Sequence, residues 1–135
     1  MEQWELINPH PGAHIRTKVQ DIYHHAIYLG NDEVVQFGLP FDMFRDPTDV
    51  RVMKSPIEDF LVGFLEVRVY SKKELKKKRT DQDIIQIALS RVGEGNYNIL
   101  KNNCEHFCNE CVFGEKVSTQ VDNLAKQIRA ILKNG

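Results

Sequence analysis

Polar and apolar positions alternate along the first third of the chain, which is the pattern of β-strands. A turn-forming run at 9–12 precedes the alternating stretch Ala13–Lys18. The aromatic and β-branched stretch Tyr23–Leu29 ends at Gly30-Asn31-Asp32, and a third such stretch covers Glu33–Phe37. We therefore expect three strands here, and the short connection between the second and third predicts a hairpin.

The middle of the chain has a less regular pattern. Residues 38–54 carry turn formers and scattered aromatics, and a connection of this length is more often functional or mobile than inert. Ser55-Pro56-Ile57-Glu58 has the form of a capping box with proline at the first helical position, which predicts a short helix to about Val62. The alternation returns over Phe64–Tyr70 and predicts a further strand.

Most of the remaining chain has the spacing of helices. The capping sequence at 80–83 opens a helix that Gly93 ends. An extended stretch at 95–100 is followed by a helix over about 103–114 and by an amphipathic helix over 118–133. Apolar positions at helical spacing support the first and last of these helices: Ile84, Ile87, Ala88 and Val92, then Val121, Leu124, Ala125, Ile128 and Ile131.

Strands come mainly first and helices mainly later, so the pattern predicts an α+β fold in which an antiparallel sheet packs against helices. The chain has 135 residues without an internal repeat or linker, so a single domain over 1–135 is expected. Apolar residues make up 41% and charged residues 27%, and the net charge is -1. This balance is ordinary for a globular protein and does not favour nucleic acid as a partner.

Three features of the sequence bear on location. It has no run of about 18 or more apolar residues, so no transmembrane helix is expected. The first residues are polar and acidic, without the basic and apolar regions of a secretory signal. The cysteines Cys104, Cys108 and Cys111 form an odd, clustered set that makes a poor disulfide framework. Together these features favour the cytoplasm.

Cys104 stands out chemically because it follows two good helix caps, Asn102 and Asn103. In the first turn of a helix, its sulfur would feel the positive end of the helix dipole and unpaired backbone N–H groups, and both favour the reactive thiolate. The same N–H groups can stabilise an oxyanion. The alternative is that Cys104 is a small buried apolar residue, and Cys108 and Cys111 on the same helix face are expected to pack in the core.

The spacing Cys104-x-x-x-Cys108-x-x-Cys111 also matches a motif that binds iron–sulfur clusters in radical SAM enzymes. On a continuous helix, however, the three sulfurs would be strung along about 10 Å of axis, and the segment has no glycine or proline to form a loop. A zinc site that added His106 meets the same objection. We therefore expect neither a metal nor a cofactor.

A thiol nucleophile needs a base, and the base needs an orienting partner. His24 and His25 begin the second strand and point to opposite faces of the sheet, so one of them faces the cysteine helix, and the pattern does not decide which. Across the hairpin, Gln36 is the polar residue in an apolar strand. Its carbonyl can accept the histidine Nδ1–H and leave Nε2 toward the sulfur.

Several of these residues resemble the lecithin retinol acyltransferase-like family, a circularly permuted branch of the NlpC-type papain-like fold. The resemblance rests on His24-x-Ala-Ile-Tyr-Leu-Gly30, on Val34-Val35 and on Asn103-Cys-Glu-His-Phe-Cys-Asn-Glu110 with Gly114. Residues 118–121 also resemble the segment that follows the cysteine helix in that family. The similarity runs from about Pro11 to Asn123.

Carried over by position, the resemblance implies that Cys104 is the nucleophile, that His24 rather than His25 is the base, and that Gln36 is the third polar residue. Many members have histidine at this last place, so Gln36 is a departure, although papain-like enzymes use a neutral amide there. The implied reaction is acyl transfer from a lipid ester or a related acyl compound through a thioester. Animal members carry an apolar C-terminal anchor, whereas this chain ends in the amphipathic helix 118–133.

The basic segment Lys72–Arg79 can touch anionic lipid headgroups, although a charged run is more often a solvated surface. Two other functions stay open at this point. One is a peptidase or amidase of the wider NlpC-type group. The other is a non-catalytic interaction module, against which the retention of Cys104, His24 and Gln36 argues.

Overall fold

The sheet of this protein has six strands, and every pairing is antiparallel. The computed structural model describes residues 2–99, 102–114 and 119–134. The strands are β1 Gln3–Glu5, β2 His14–Val19, β3 Ile22–Gly30, β4 Glu33–Phe37, β5 Val52–Pro56 and β6 Leu65–Val69, in the spatial order β1-β6-β2-β3-β4-β5. The helices are α1 Lys72–Leu75, α2 Asp81–Ser90, α3 Cys104–Phe113 and α4 Thr119–Asn134.

This architecture confirms the predicted α+β class with an antiparallel sheet. The hairpin of β3 and β4 is confirmed, with Ala26 paired to Gln36 and Ile27 paired to Val35. The edge strand β1 pairs with β6 and was not predicted, because three residues are too few to show a period. The circular permutation implied by the resemblance stays a prediction.

The helix predicted to begin at Ser55 is wrong. Ser55 belongs to β5, where it pairs with Val34 of β4, and only a short 3-10 turn, Ile57–Asp59, follows. The reason is tertiary, because the long-range pairing of β5 with β4 outweighs a local capping pattern. The predicted irregular stretch 38–54 accordingly ends earlier, at the start of β5, and contains two 3-10 turns.

The extended stretch predicted at 95–100 does not form a strand in the part that the structure describes. It contributes one isolated bridge, between Asn98 and Asn102. Leu100 lies outside the described residues, as does Ser118, at which the last helix was predicted to begin. The predicted helices at 80–93 and 103–114 are confirmed as α2 and α3, although α2 already ends at Ser90.

Side chains alternate between two faces of the sheet, and each face has its own apolar core. On the α3 face, Ile27, Val35 and Phe37 pack against α2 and α3. On the distal face, Ala26 and Val34 pack with Phe60, which lies in the segment that connects β5 to β6. Because the faces alternate along β3, His25 belongs to the α3 face and His24 to the distal face.

The helix α3 is defined at both ends by specific contacts. At its C-terminus Gly114 adopts the left-handed conformation with φ 77°, which favours glycine. Arg79 reaches the same end, and its Nη1 donates to the carbonyl oxygens of Glu110 at 2.7 Å and Cys111 at 3.3 Å.

Within the described ranges, no helix combines the length and the hydropathy needed to cross a bilayer.

Candidate active site

Cys104 is the first residue of α3, and the residues around it form a reciprocal cap. The Asn103 side chain accepts a hydrogen bond from the His106 backbone N–H at 2.9 Å, and His106 Nδ1 accepts one from the Asn103 N–H at 3.0 Å. The cap predicted at Asn103 is therefore confirmed. His106 is buried in this cap, with 5% of its surface exposed.

The Cys104 sulfur lies against backbone rather than against a basic side chain. Only 3% of the surface of Cys104 is exposed, and this burial raises the pKa of its thiol to about 12. Hydrogen bonds from the backbone of His25, Glu105 and Cys104 itself act in the opposite direction and lower the pKa. The N–H groups at the helix start favour the thiolate as expected, but in the resting protein burial outweighs them. Cys104 is a neutral thiol near neutral pH.

Cys108 and Cys111 lie deeper in the same core as Cys104. Both are fully buried, and they pack with Phe107 and Val112 in the cluster on the α3 face. Burial raises the pKa of both thiols, that of Cys111 to about 12. Their predicted role as core residues is confirmed.

His24 and Gln36 are in direct contact on the distal face. His24 Nε2 lies 2.8 Å from Gln36 Oε1, and the Gln36 amide nitrogen donates to Ser55 Oγ at 2.6 Å. In this arrangement the amide oxygen faces the imidazole, and therefore His24 Nε2 carries the proton. The sequence predicted the opposite ring nitrogen, Nδ1, at this contact. The correction leaves Nδ1 as the basic nitrogen of His24.

The buried surroundings of His24 keep its ring neutral. Burial lowers the pKa of His24 from 6.5 to about 4, while the Gln36 hydrogen bond, the Asp42 carboxylate and the Gly38 backbone act to raise it. The Phe60 ring packs beside the imidazole, with 5.4 Å between the ring centroids. His24 is thus available as a neutral base at neutral pH.

The backbone of β3 connects the two parts of the site. The hydrogen bond from the His25 backbone places the Cys104 sulfur beside the peptide that joins His24 to His25. Gln36 is brought into contact with His24, whereas no hydrogen bond or ion pair joins the His24 ring to the Cys104 sulfur among the described residues. The Cys104 sulfur therefore lies beside the backbone of the strand that carries His24, and both side chains are neutral in the resting state.

Three further residues border this site and were not predicted. Ser55 was interpreted as a helix cap, and its contact with Gln36 required the pairing of β5 with β4. Glu105 is buried with 2% exposure, and its place directly after Cys104 was the available clue. Tyr97 belongs to the same apolar core as Cys104, and burial raises the pKa of its phenol.

Comparisons with known proteins agree with the resemblance. A sequence profile described as lecithin retinol acyltransferase matches residues 7–117. The lecithin retinol acyltransferase of Bos taurus is 32% identical over 132 residues, which cover 82% of this chain and 57% of the bovine protein. The human protein of that name is 24% identical over 152 residues, covering 97% of this chain and 66% of the human one.

A second kind of relative carries a related name. Phospholipase A and acyltransferase 1 of Rattus norvegicus is 30% identical over 124 residues, covering 85% of this chain and 74% of the rat protein. The chain thus spans less than two thirds of the bovine and human lecithin retinol acyltransferases but more of the rat protein. Because the profile covers most of the sequence, the chain belongs to the lecithin retinol acyltransferase family.

Proposed function

We propose that this protein is a thiol acyltransferase or acyl hydrolase that acts on lipid esters or related acyl compounds through a thioester on Cys104. In this proposal His24 is the base and Gln36 orients it. The observation that carries the proposal is the contact of His24 with Gln36, at 2.8 Å, together with the hydrogen bond from the His25 backbone of the same strand β3 to the Cys104 sulfur. The names of the relatives point to the same class of reaction.

The chemistry would begin from the neutral pair. The Cys104 thiol gives its proton to His24 Nδ1 as the sulfur attacks the ester carbonyl, and backbone N–H groups at the start of α3 stabilise the oxyanion. The carbon–oxygen bond then breaks, and His24 returns the proton to the leaving alcohol. Water, or an alcohol or amine acceptor, next gives a proton to His24 and attacks the thioester, and the sulfur leaves and is reprotonated.

Exposed apolar side chains on two connecting segments support a lipid substrate. Two chain segments leave the surroundings of His24, one after Gly38 and one after Phe60, and both expose large apolar residues. We call this set the apolar rim, which consists of Leu39, Phe41, Phe44, Leu61, Val62 and Phe64, the last being 81% exposed. Exposed apolar side chains of this kind suit contact with a lipid aggregate.

The basic segment contributes less to this surface than its charge suggests. Arg79 caps the C-terminus of α3, and Lys78 binds Asp81 at 2.8 Å. That leaves Lys72, Lys73, Lys76 and Lys77 as candidates for contact with anionic headgroups. They belong to a segment that meets the end of α3 opposite Cys104, so we propose for them an auxiliary and salt-sensitive contact.

Two alternatives make different predictions about the acyl donor. A peptidase or amidase would take a peptide amide as donor. A non-catalytic module would form no acyl-enzyme, and the 3% exposure of Cys104 is the observation that favours it. The apolar rim favours lipid esters over both.

A direct test is to incubate the protein with phosphatidylcholine in mixed micelles and to measure intact mass and peptide masses after rapid denaturation. We expect an acyl increment on Cys104 that neutral hydroxylamine removes. Cys104→Ser should abolish it and the matched variant Cys108→Ser should retain it. An increment from a peptide amide alone would support the amidase, and the absence of any increment would reject the enzyme.

The choice of histidine has its own test. His24→Ala should slow iodoacetamide alkylation of Cys104 by about a hundredfold or more, the scale of a lost general base. His25→Ala should slow it much less, because His25 meets the sulfur through its backbone. Equal effects would mean that His24 is not the base.

A further inference from the structure

A second polar network, formed by His14, His25 and Glu105, lies on the α3 face of the sheet. His14 Nε2 and His25 Nδ1 are 2.8 Å apart, and His25 Nε2 lies 3.9 Å from Glu105 Oε2. His14, His25 and Glu105 are each exposed by 2% or less. This network therefore connects β2, β3 and the first turn of α3 through side chains that water does not reach.

Two proton arrangements are possible in this network of His14, His25 and Glu105. If His14 Nε2–H donates to His25 Nδ1, then His25 carries its proton on Nε2, which faces the Glu105 carboxylate. His14 Nδ1 is then an acceptor without a donor, and the His25 Nε2–H makes no hydrogen bond, because the carboxylate oxygen lies 3.9 Å away. In the reverse arrangement His14 Nδ1–H would be a buried donor without an acceptor, and the bare His25 Nε2 would face a carboxylate. Each arrangement leaves one buried N–H and one buried ring nitrogen without a hydrogen-bond partner. The first arrangement costs less, because it turns an N–H rather than a lone pair toward the Glu105 carboxylate.

The surroundings keep both histidines neutral. Burial lowers the pKa of His14 to about 3 and that of His25 well below 6.5, and the nearby Arg16 lowers both further. Two other charged side chains on this face are paired, with Arg16 bound to Glu66 at 3.3 Å and Arg68 bound to Glu74. The Trp4 ring packs edge-on against His14, with 5.0 Å between the ring centroids. Glu105 is thus the carboxylate that the His25 ring faces.

This network ends next to the Cys104 sulfur. Glu105 directly follows Cys104, and the backbone of the same His25 whose ring faces Glu105 hydrogen-bonds the Cys104 sulfur. One residue of β3 therefore contacts the first turn of α3 twice, through its backbone at the sulfur and through its ring at the adjacent carboxylate. A shift of Glu105 would carry Cys104 with it.

We propose that His25 is a positioning residue for Cys104, and that His14 fixes the His25 tautomer so that its Nε2–H points toward the Glu105 carboxylate and attracts the first turn of α3 toward β3. The inference rests on the proposed function only in taking Cys104 as the reactive thiol. His25 takes no proton from the thiol, which remains the role of His24.

The matched variants His14→Gln and His14→Leu test this arrangement. Glutamine places an amide donor where His14 Nε2–H lies, whereas leucine removes the donor and lets His25 adopt the other tautomer. We expect iodoacetamide to alkylate Cys104 about tenfold more slowly in His14→Leu and in His25→Phe, since a displaced group of about 1 Å is enough for such losses. His14→Gln should stay within about twofold of the unmodified protein, and equal rates for the two His14 variants would overturn the proposal.

A second measurement needs no variant. Long-range ¹H–¹⁵N correlation of the histidine rings in the unmodified protein should show His25 protonated on Nε2 and bare on Nδ1, with His14 protonated on Nε2. The reverse assignment would reject the proposal even if the variants failed to fold. The proposed function fails in a different way, by a missing acyl increment in the unmodified protein while the order of alkylation rates persists.

Discussion

His24 Nε2 lies 2.8 Å from Gln36 Oε1, and this one contact fixes which nitrogen of the imidazole can act as a base. The Gln36 amide nitrogen points the other way and donates to Ser55 Oγ at 2.6 Å. The proton is therefore held on Nε2, and Nδ1 stays basic. A neutral amide provides this orientation without adding charge, in keeping with a histidine whose pKa stays near 4.

Replacing Gln36 should affect acylation more than folding. Gln36→Leu leaves the His24 Nε2–H buried without an acceptor, at a cost of about 1–3 kcal/mol in the free energy of unfolding. The freed ring can also turn, so we expect the acylation rate of Cys104 to fall by about tenfold to a hundredfold. Single-turnover acylation and urea unfolding measure the two effects. Lower stability with an unchanged acylation rate would reduce Gln36 to a structural residue.

The companion variant Gln36→Glu should change the pH dependence instead. An ionised carboxylate beside His24 favours the imidazolium, so the pKa of His24 should rise from about 4. The acidic limb of the acylation rate should therefore move to higher pH. A limb that stays in place would show that His24 does not govern it.

The resting neutral pair predicts a particular pH profile in the unmodified protein. His24 stays unprotonated down to a pKa of about 4, and Cys104 stays a thiol up to a pKa of about 12. Acylation should therefore be nearly constant through neutral pH and fall only as the pH approaches 4. A preformed thiolate–imidazolium pair would instead show the thiolate absorbance near 240 nm at neutral pH, and detecting that absorbance from Cys104 would contradict the neutral pair.

Buried neutral histidines should make the fold sensitive to acid. The pKa values of His14 and His24 are lowered to about 3 and about 4, and that of His25 is also lowered. Below pH 6.5 the unfolded chain binds protons that the folded chain does not, so stability is present above that pH and is lost as the pH falls toward 4. Three such protons give a slope of about 4 kcal/mol per pH unit.

Urea unfolding between pH 7 and pH 4 measures this slope. His14→Phe should reduce the slope by about one third, since it removes one of the three histidines that take up a proton on unfolding. The matched control His10→Gln, at an exposed position, should leave it unchanged. A stability that is flat over this range would contradict the burial of neutral histidines.

The apolar rim should govern contact with lipid. Phe41 is 48% exposed and Phe64 is 81% exposed, so Phe41→Ser with Phe64→Ser removes apolar surface without opening the core. We expect sedimentation with phosphatidylcholine vesicles to weaken at least about fivefold, the equivalent of about 1 kcal/mol of lost apolar burial. Acylation by a soluble short-chain ester should be unaffected.

Two further variants separate the rim from other surfaces. Leu89→Ser, at an exposed position of α2, should leave vesicle binding unchanged. Replacing the lysines at 72, 73, 76 and 77 with glutamine should weaken binding only to anionic vesicles and mainly at low salt. Equal losses from Leu89→Ser and from the rim variant would reject a specific lipid contact.

The sequence by itself determined the local features of this protein. Alternation predicted β2, β3, β4 and β6, because a half-buried strand must place its apolar residues on one side. Asn103 predicted the start of α3, since a helix cap is satisfied within a few residues. The family resemblance that singled out Cys104, His24 and Gln36 also lay in short local motifs, and the family itself is confirmed.

The tertiary structure decided what depends on distant partners. Ser55 joined a strand instead of capping a helix because β4 offered a ladder of hydrogen bonds. Gln36 contacts His24 through Nε2 because the pairing of β3 with β4 places the two side chains together. Cys104 is a thiol rather than a thiolate because the packed core removes water from its sulfur. Strand pairing, amide orientation and desolvation all arise from residues far apart in the chain, and a local pattern carries no record of them.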